Sequence, residues 1–115
     1  MGTSNRSAPV FAALGDPRRL RMVRHLSDRG PQSLVRLTIG SGISRQAIRK
    51  HARILERAGV VRSFRLGRER RLELRPERLA EAERYLERVS VEWDRALGRL
   101  RRKLEAPPGA ASKGT

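Results

Sequence analysis

The side chains best placed to do chemistry in this 115-residue chain are cationic and amide hydrogen-bond donors. Arg45, Gln46, Arg49, Lys50 and Arg53 stand close together on one stretch, and Arg68, Arg70 and Arg71 follow on another. An arginine presents a planar fork of donors that matches phosphate oxygens and the edge of guanine, and a glutamine side chain matches adenine. Such a set binds a polyanion; it does not catalyse. No nucleophile stands beside a base, and no glycine-rich cofactor loop is present. Gly40-Ser41-Gly42 lacks a following Gly-Lys-Ser and reads as a tight turn. With no cysteine, disulfides, thiolate metal ligands, cysteine nucleophiles and thiol redox sensing are excluded. Of the two histidines, His25 lies beside an apolar stripe and reads as a packing residue. The carboxylates Glu83, Glu87, Glu92 and Asp94 have no histidine near them and suit zinc or nickel poorly. No enzyme activity, cofactor or metal site is expected.

The charge says which polyanion. There are 27 Lys plus Arg against 12 Asp plus Glu, for a formal charge of +15, and only Lys50, Lys103 and Lys113 are lysines. Residues 44–71 carry ten basic side chains against Glu56 and Glu69, a balance of +8. Residues 76–105 carry eight against seven, a balance of +1. The four aromatics, Phe11, Phe64, Tyr85 and Trp93, are too few and scattered to stack single-stranded bases, so double-stranded DNA is favoured. No apolar run approaches the roughly 20 residues that span a bilayer, and no secretory signal is visible. The expectation is a cytoplasmic protein with no membrane association.

These donors need elements to hold them. Residues 1–7 and 106–115 are small, polar and rich in turn formers and read as flexible tails around one domain, 8–105. Pro9 to Leu14 suits a short helix. Asp16-Pro17 starts a second, with Leu20, Val23 and Leu26 as its apolar stripe, and Gly30-Pro31 stops it. A third short helix is expected from about Gln32 to Ile39, offering Leu34, Val35 and Leu37 to the core. Ser44 caps a fourth that reaches Ala58 and ends at Gly59. Ala47, Ile48, Ala52, Leu55 and Ala58 share one side of it, with the basic residues largely on the other. Val60–Leu66 and Glu69–Leu74 form a hairpin around Gly67-Arg68. From Pro76 to about Glu105 one long helix carries Leu79, Ala82, Leu86, Val89, Trp93, Leu97, Leu100 and Leu104 at steps of three or four. The rest of the chain is too small to cover that seam, so a second copy is expected to, with Trp93 in the interface. The order of elements predicts a mainly α winged helix-turn-helix with a small β-hairpin wing.

The stretch from Gly42 to Val61, GISRQAIRKHARILERAGVV, followed by a basic wing, resembles the core of the ArsR/SmtB family of bacterial transcriptional regulators. The opening Phe11-Ala-Ala-Leu-Gly-Asp-Pro-Arg-Arg-Leu20 is similar too, and the likeness covers roughly residues 9–104. The resemblance implies a symmetric dimer with the first and last helices at the interface, which adds Phe11 to the seam. It also implies a fourth helix in the major groove and a wing on the neighbouring backbone or minor groove. Ser44, Arg45, Gln46, Arg49 and Lys50 fall where family members place DNA-facing residues, and His51 precedes the packed half of that helix. Arg45 and Gln46 are the expected base readers; Arg49, Lys50, Arg53, Arg68, Arg70 and Arg71 are expected on phosphates, and His51 either touches phosphate or caps the edge of the core. Ala52 stands where relatives more often carry Leu. Neither the third helix, Leu34-Val-Arg-Leu-Thr-Ile39, nor the last has the family's metal-ligand motifs, so the chain looks like the cysteine-free branch.

The expected function is a homodimeric, sequence-specific regulator of transcription, a repressor on a palindromic operator. Its partners are double-stranded DNA, a second copy, and a small-molecule effector that the residues do not identify. The alternatives are a nonspecific nucleoid-associated protein and a helix-mediated interaction module.

Overall fold

The computed structural model describes residues 2–105, with side chains from Arg6 onward; the tail expected at 106–115 lies outside the described residues. Eight elements follow in order: α1 (Gly2–Leu14), α2 (Pro17–Arg29), β1 (Gln32–Ser33), α3 (Leu34–Thr38), α4 (Arg45–Arg57), β2 (Val61–Leu66), β3 (Glu69–Leu74) and α5 (Pro76–Glu105). The chain divides into two units after Glu83. The first holds α1 through the opening turns of α5, and the second holds the rest of that helix.

Local chemistry sets most boundaries. Asp16 caps α2 by accepting from the backbone N–H groups of Arg18 (2.8 Å) and Arg19 (3.3 Å), with Pro17 at the first helical position. Ser44 caps α4 by accepting from Ala47 N–H at 3.1 Å. That helix ends where Gly59 takes a φ of 81°, a left-handed conformation. A Cβ there would also meet the flexible guanidinium end of Arg78 at 3.0 Å, but it is the positive φ that disfavours larger residues at the exit from α4.

Three expectations need correction. The first helix starts at Gly2, so residues 2–7 belong to α1 and are not a loose lead-in to Pro9. Pro9 supplies no N–H to the preceding turn, yet that turn lies against the rest of the unit: Ser7 is buried, and Arg6 reaches Glu81 at 3.3 Å. The expected third helix is shorter, because Gln32 and Ser33 pair antiparallel with Leu72 and Arg71 as an edge strand. Ser33 then caps α3 by accepting from Arg36 N–H at 3.0 Å. Finally, Leu20 and Val35 are not core residues, being 50% and 48% exposed, and His25, expected to pack, is exposed as well. Each lies off the face that its helix buries, which is Met22 with Leu26 on α2 and Leu34 with Leu37 on α3.

The three-stranded antiparallel sheet has the order β1-β3-β2. In β2 and β3 Leu66 opposes Glu69, leaving Gly67-Arg68 as a two-residue turn, and Gly67 takes the positive φ (64°) that its first position requires. The core of the first unit joins Val10 and Ala13 of α1, Met22 and Leu26 of α2, Ile48, Ala52 and Leu55 of α4, and Leu72 of β3. Phe11 and Leu79 pack against it, partly buried.

Candidate nucleic-acid interface

Helix α4 is held by its apolar side. Ile48 and Leu55 are almost wholly buried, and Ala52 sits between them, so the side chains at 45, 46, 49, 50 and 53 are turned outward and exposed. Arg45, Arg49 and Arg53 recur every four residues and form one wall of a cleft of about 540 Å³. Arg65, Arg68 and Arg70 of the hairpin form the other, with Leu34, Ala52 and Leu72 beneath. Gln46 and Lys50 are exposed beside this stripe, and Ser44 is exposed at the helix start.

Arg65 was not singled out from sequence as a site residue, although the signal was there. A two-residue turn at Gly67-Arg68 places Arg65 directly opposite Arg70. Two like charges facing across a strand pair destabilise it unless an anion lies between them. Arg70 also donates to the Ser63 hydroxyl. Among the described residues the ion pairs are Arg6–Glu81, Arg62–Glu73, Arg71–Glu69, Arg75–Glu77 and Arg78–Glu81. None of them neutralises a basic residue of α4, nor Arg65, Arg68 or Arg70. The cleft therefore gathers six guanidinium groups, none of them in an ion pair, against the two carboxylates of Glu56 and Glu69 that also line it.

Two expected site residues are engaged inside the fold. His51 is half-buried, and its Nδ1 lies 3.2 Å from Arg19 Nη1. Arg19 also donates through Nε to the Ala13 carbonyl, tying the end of α1, the start of α2 and the middle of α4 together. Beside it the Asp16 carboxyl is held below the usual carboxylate range, chiefly by the Arg18 backbone N–H, against a weaker opposing effect of desolvation. Arg71 donates to the Pro31 carbonyl at 3.2 Å and lies 3.4 Å from Glu69, bracing the sheet edge at β1. Arg62 pairs with Glu73 and stacks over the Phe64 ring at 4.7 Å.

The second unit has a different surface. Along α5, Leu86, Trp93, Leu97, Leu100 and Leu104 are exposed, Trp93 by 62% and Leu104 by 76%, and Val89 is half-buried. No group of three or more His, Cys, Asp or Glu is placed to hold a metal among the described residues. Nor is any helix among them long and apolar enough to cross a membrane.

A short helix, a glycine turn, a capped basic helix and a basic hairpin define a winged helix-turn-helix DNA-binding protein. No protein-family model matches the chain, but individual relatives do. An uncharacterized HTH-type transcriptional regulator, YuzN of Bacillus subtilis (strain 168), is 43% identical over 67 residues, which cover 53% of this chain and 73% of that protein. The structure of an ArsR-like transcriptional regulator from Rhodococcus sp. RHA1 matches with a TM-score of 0.76 at 38% identity, over 91% of this chain and 97% of that one. A winged helix-turn-helix DNA-binding domain from Mycobacterium bovis, described as homodimeric, shares the fold with a TM-score of 0.60 at 22% identity, over 83% and 84% of the two chains. The chain belongs to the ArsR family of transcriptional regulators.

Proposed function

We propose that the protein acts in the cytoplasm as a homodimer that represses transcription from an imperfect palindrome, each subunit laying α4 in the major groove of one half-site. Arg45 and Gln46, on the first turn of α4, read bases. Ser44, Arg49, Lys50, Arg53, Arg65, Arg68 and Arg70 hold phosphates, while His51 and Arg71 position α4 and the wing from behind. The observation that carries this reading is the convergence of unneutralised guanidinium groups from α4 and the hairpin on one cleft. A phosphate backbone is the partner that relieves that repulsion, and it makes affinity steeply salt-dependent. The dimer rests on the exposed apolar stripe of α5, a helix about 45 Å long at 1.5 Å per residue; the homodimer described for the Mycobacterium bovis domain supports it. Occupancy of the operator then excludes polymerase.

The test is binding to an operator obtained by selection from random duplexes, compared with scrambled DNA. Arg45→Ala is expected to cost about 1–3 kcal/mol on the operator and relax preference at one base position. Arg70→Ala is expected to weaken both duplexes alike. Equal losses on both duplexes for both substitutions would sink the division of roles. Equal affinity of the unaltered protein for operator and scrambled DNA would point instead to a nonspecific architectural protein.

A further inference from the structure

A second block of charge lies outside the cleft. Residues 16–39 hold six arginines against Asp16 and Asp28, a balance of +4. Arg19 is occupied by Ala13 and His51. On the rest of α2, Arg18, Arg21, His25 and Arg29 recur at steps of three and four, so they share one helix face, and all four are exposed. They span about 16 Å at 1.5 Å per residue. Asp16 is committed to capping α2, and Asp28 lies with Arg24 in a neighbouring groove that Arg21 also lines, without forming an ion pair there. Among the described residues no ion pair engages Arg18, Arg21, Arg29 or Arg36.

Two shallow grooves meet at His25. One joins Arg18 and Arg21 to Gly40 and Ser41, the turn that leads into Ser44 at the start of α4. The other joins His25 and Arg29 to Gln32 and to Arg36 of α3. The cationic face is therefore continuous with the beginning of the recognition helix, and it is built from the groups that bind phosphodiesters most readily. A run of about 16 Å matches roughly five phosphates at 3.4 Å per strand.

We infer that this α2–α3 face is a second DNA-backbone surface, in which Arg18, Arg21, Arg29 and Arg36 grip phosphates beyond the groove that α4 enters. It lengthens the footprint without adding sequence preference. The inference rests on the DNA reading above, and its test separates the two. The full chain is titrated onto a 40-base-pair duplex across a series of salt concentrations, with hydroxyl-radical footprinting of the same complexes. Arg18→Gln/Arg21→Gln/Arg29→Gln/Arg36→Gln is expected to lower the slope of log affinity against log salt by about 0.9 for each phosphate no longer neutralised, about 3–4 per subunit. It is also expected to abolish protection only at the outer edges of the footprint. Arg24→Gln, one charge outside the two grooves that define this face, should leave both unchanged.

A wild-type slope and footprint in the fourfold variant overturn the inference. So does loss of central and outer protection together, or a change in slope with Arg24→Gln as large as that of one track arginine. If the fourfold variant melts below the wild type, Arg21→Gln/Arg36→Gln gives the same readout at about half the size. Absence of salt-dependent duplex binding by the wild-type protein defeats the DNA reading itself, and this surface with it.

Discussion

Helix α4 and the stretch of α5 after Glu83 are both amphipathic, yet they meet solvent in opposite ways. In α4 the apolar side is filled by the chain's own core, and the basic side is left without ion pairs. Over the whole of α5 the charges nearly balance, eight basic against seven acidic, and beyond Glu83 leucines with Trp93 are left bare. Unneutralised charge calls for a polyanion; uncovered apolar surface calls for a protein surface. On the function proposed above, one chain keeps its two partners on separate helices, and the residues that fold it are mostly distinct from those that serve either partner.

That separation can be broken in a graded way. Leu97→Asp, half-exposed on α5, should halve the sedimentation mass and lower affinity for a palindromic operator by about 10²–10⁴-fold, the avidity gained by tethering two half-site readers. Its thermal unfolding as a monomer should remain cooperative. A variant that stays dimeric removes this stripe from the interface. Leu55→Ala, at a side chain 0% exposed beneath the recognition surface, should do the reverse. Denaturant titration should show a loss of about 2–5 kcal/mol, while the subunits that remain folded still pair and bind DNA. The smallest effect concerns the junction behind α4. Because Asp16 has its carboxyl held below the unfolded value, its contribution is complete at pH values above the usual carboxylate range and falls away as pH drops through the folded-state value. Asp16→Asn should flatten the stability curve between neutral and acid pH, seen as convergence of the two proteins' melting temperatures at low pH. Parallel curves would remove the cap from the acid response.

Much of this was legible in the sequence because it is local. Asp16-Pro17, Ser44 and Gly59 mark helix ends by their own side chains or backbone freedom, and the 3.6-residue spacing of Ile48, Ala52 and Leu55 faces α4 inward wherever the core lies. What escaped depends on distant pairings. The strand at Gln32–Ser33 exists because Arg71 and Leu72 lie alongside it. The first turns of α1 bring Arg6 to Glu81, 75 positions away. His51 has the spacing of a phosphate ligand, yet Arg19 takes up its Nδ1 from 32 positions away. The second basic face on α2 has helical spacing that could have been read, but only the grooves joining it to Ser41 and Arg36 give it a place beside α4.

The two-residue turn of the wing has one more consequence, for inheritance. Side chains alternate across a strand, so inserting or deleting a single residue in β2 or β3 would carry Arg65 or Arg70 to the opposite face, unless a bulge absorbed the change. Descendants of this protein that lengthen or trim the hairpin and still hold DNA should do so two residues at a time within a strand, with Gly67 and Arg68 kept at the tip.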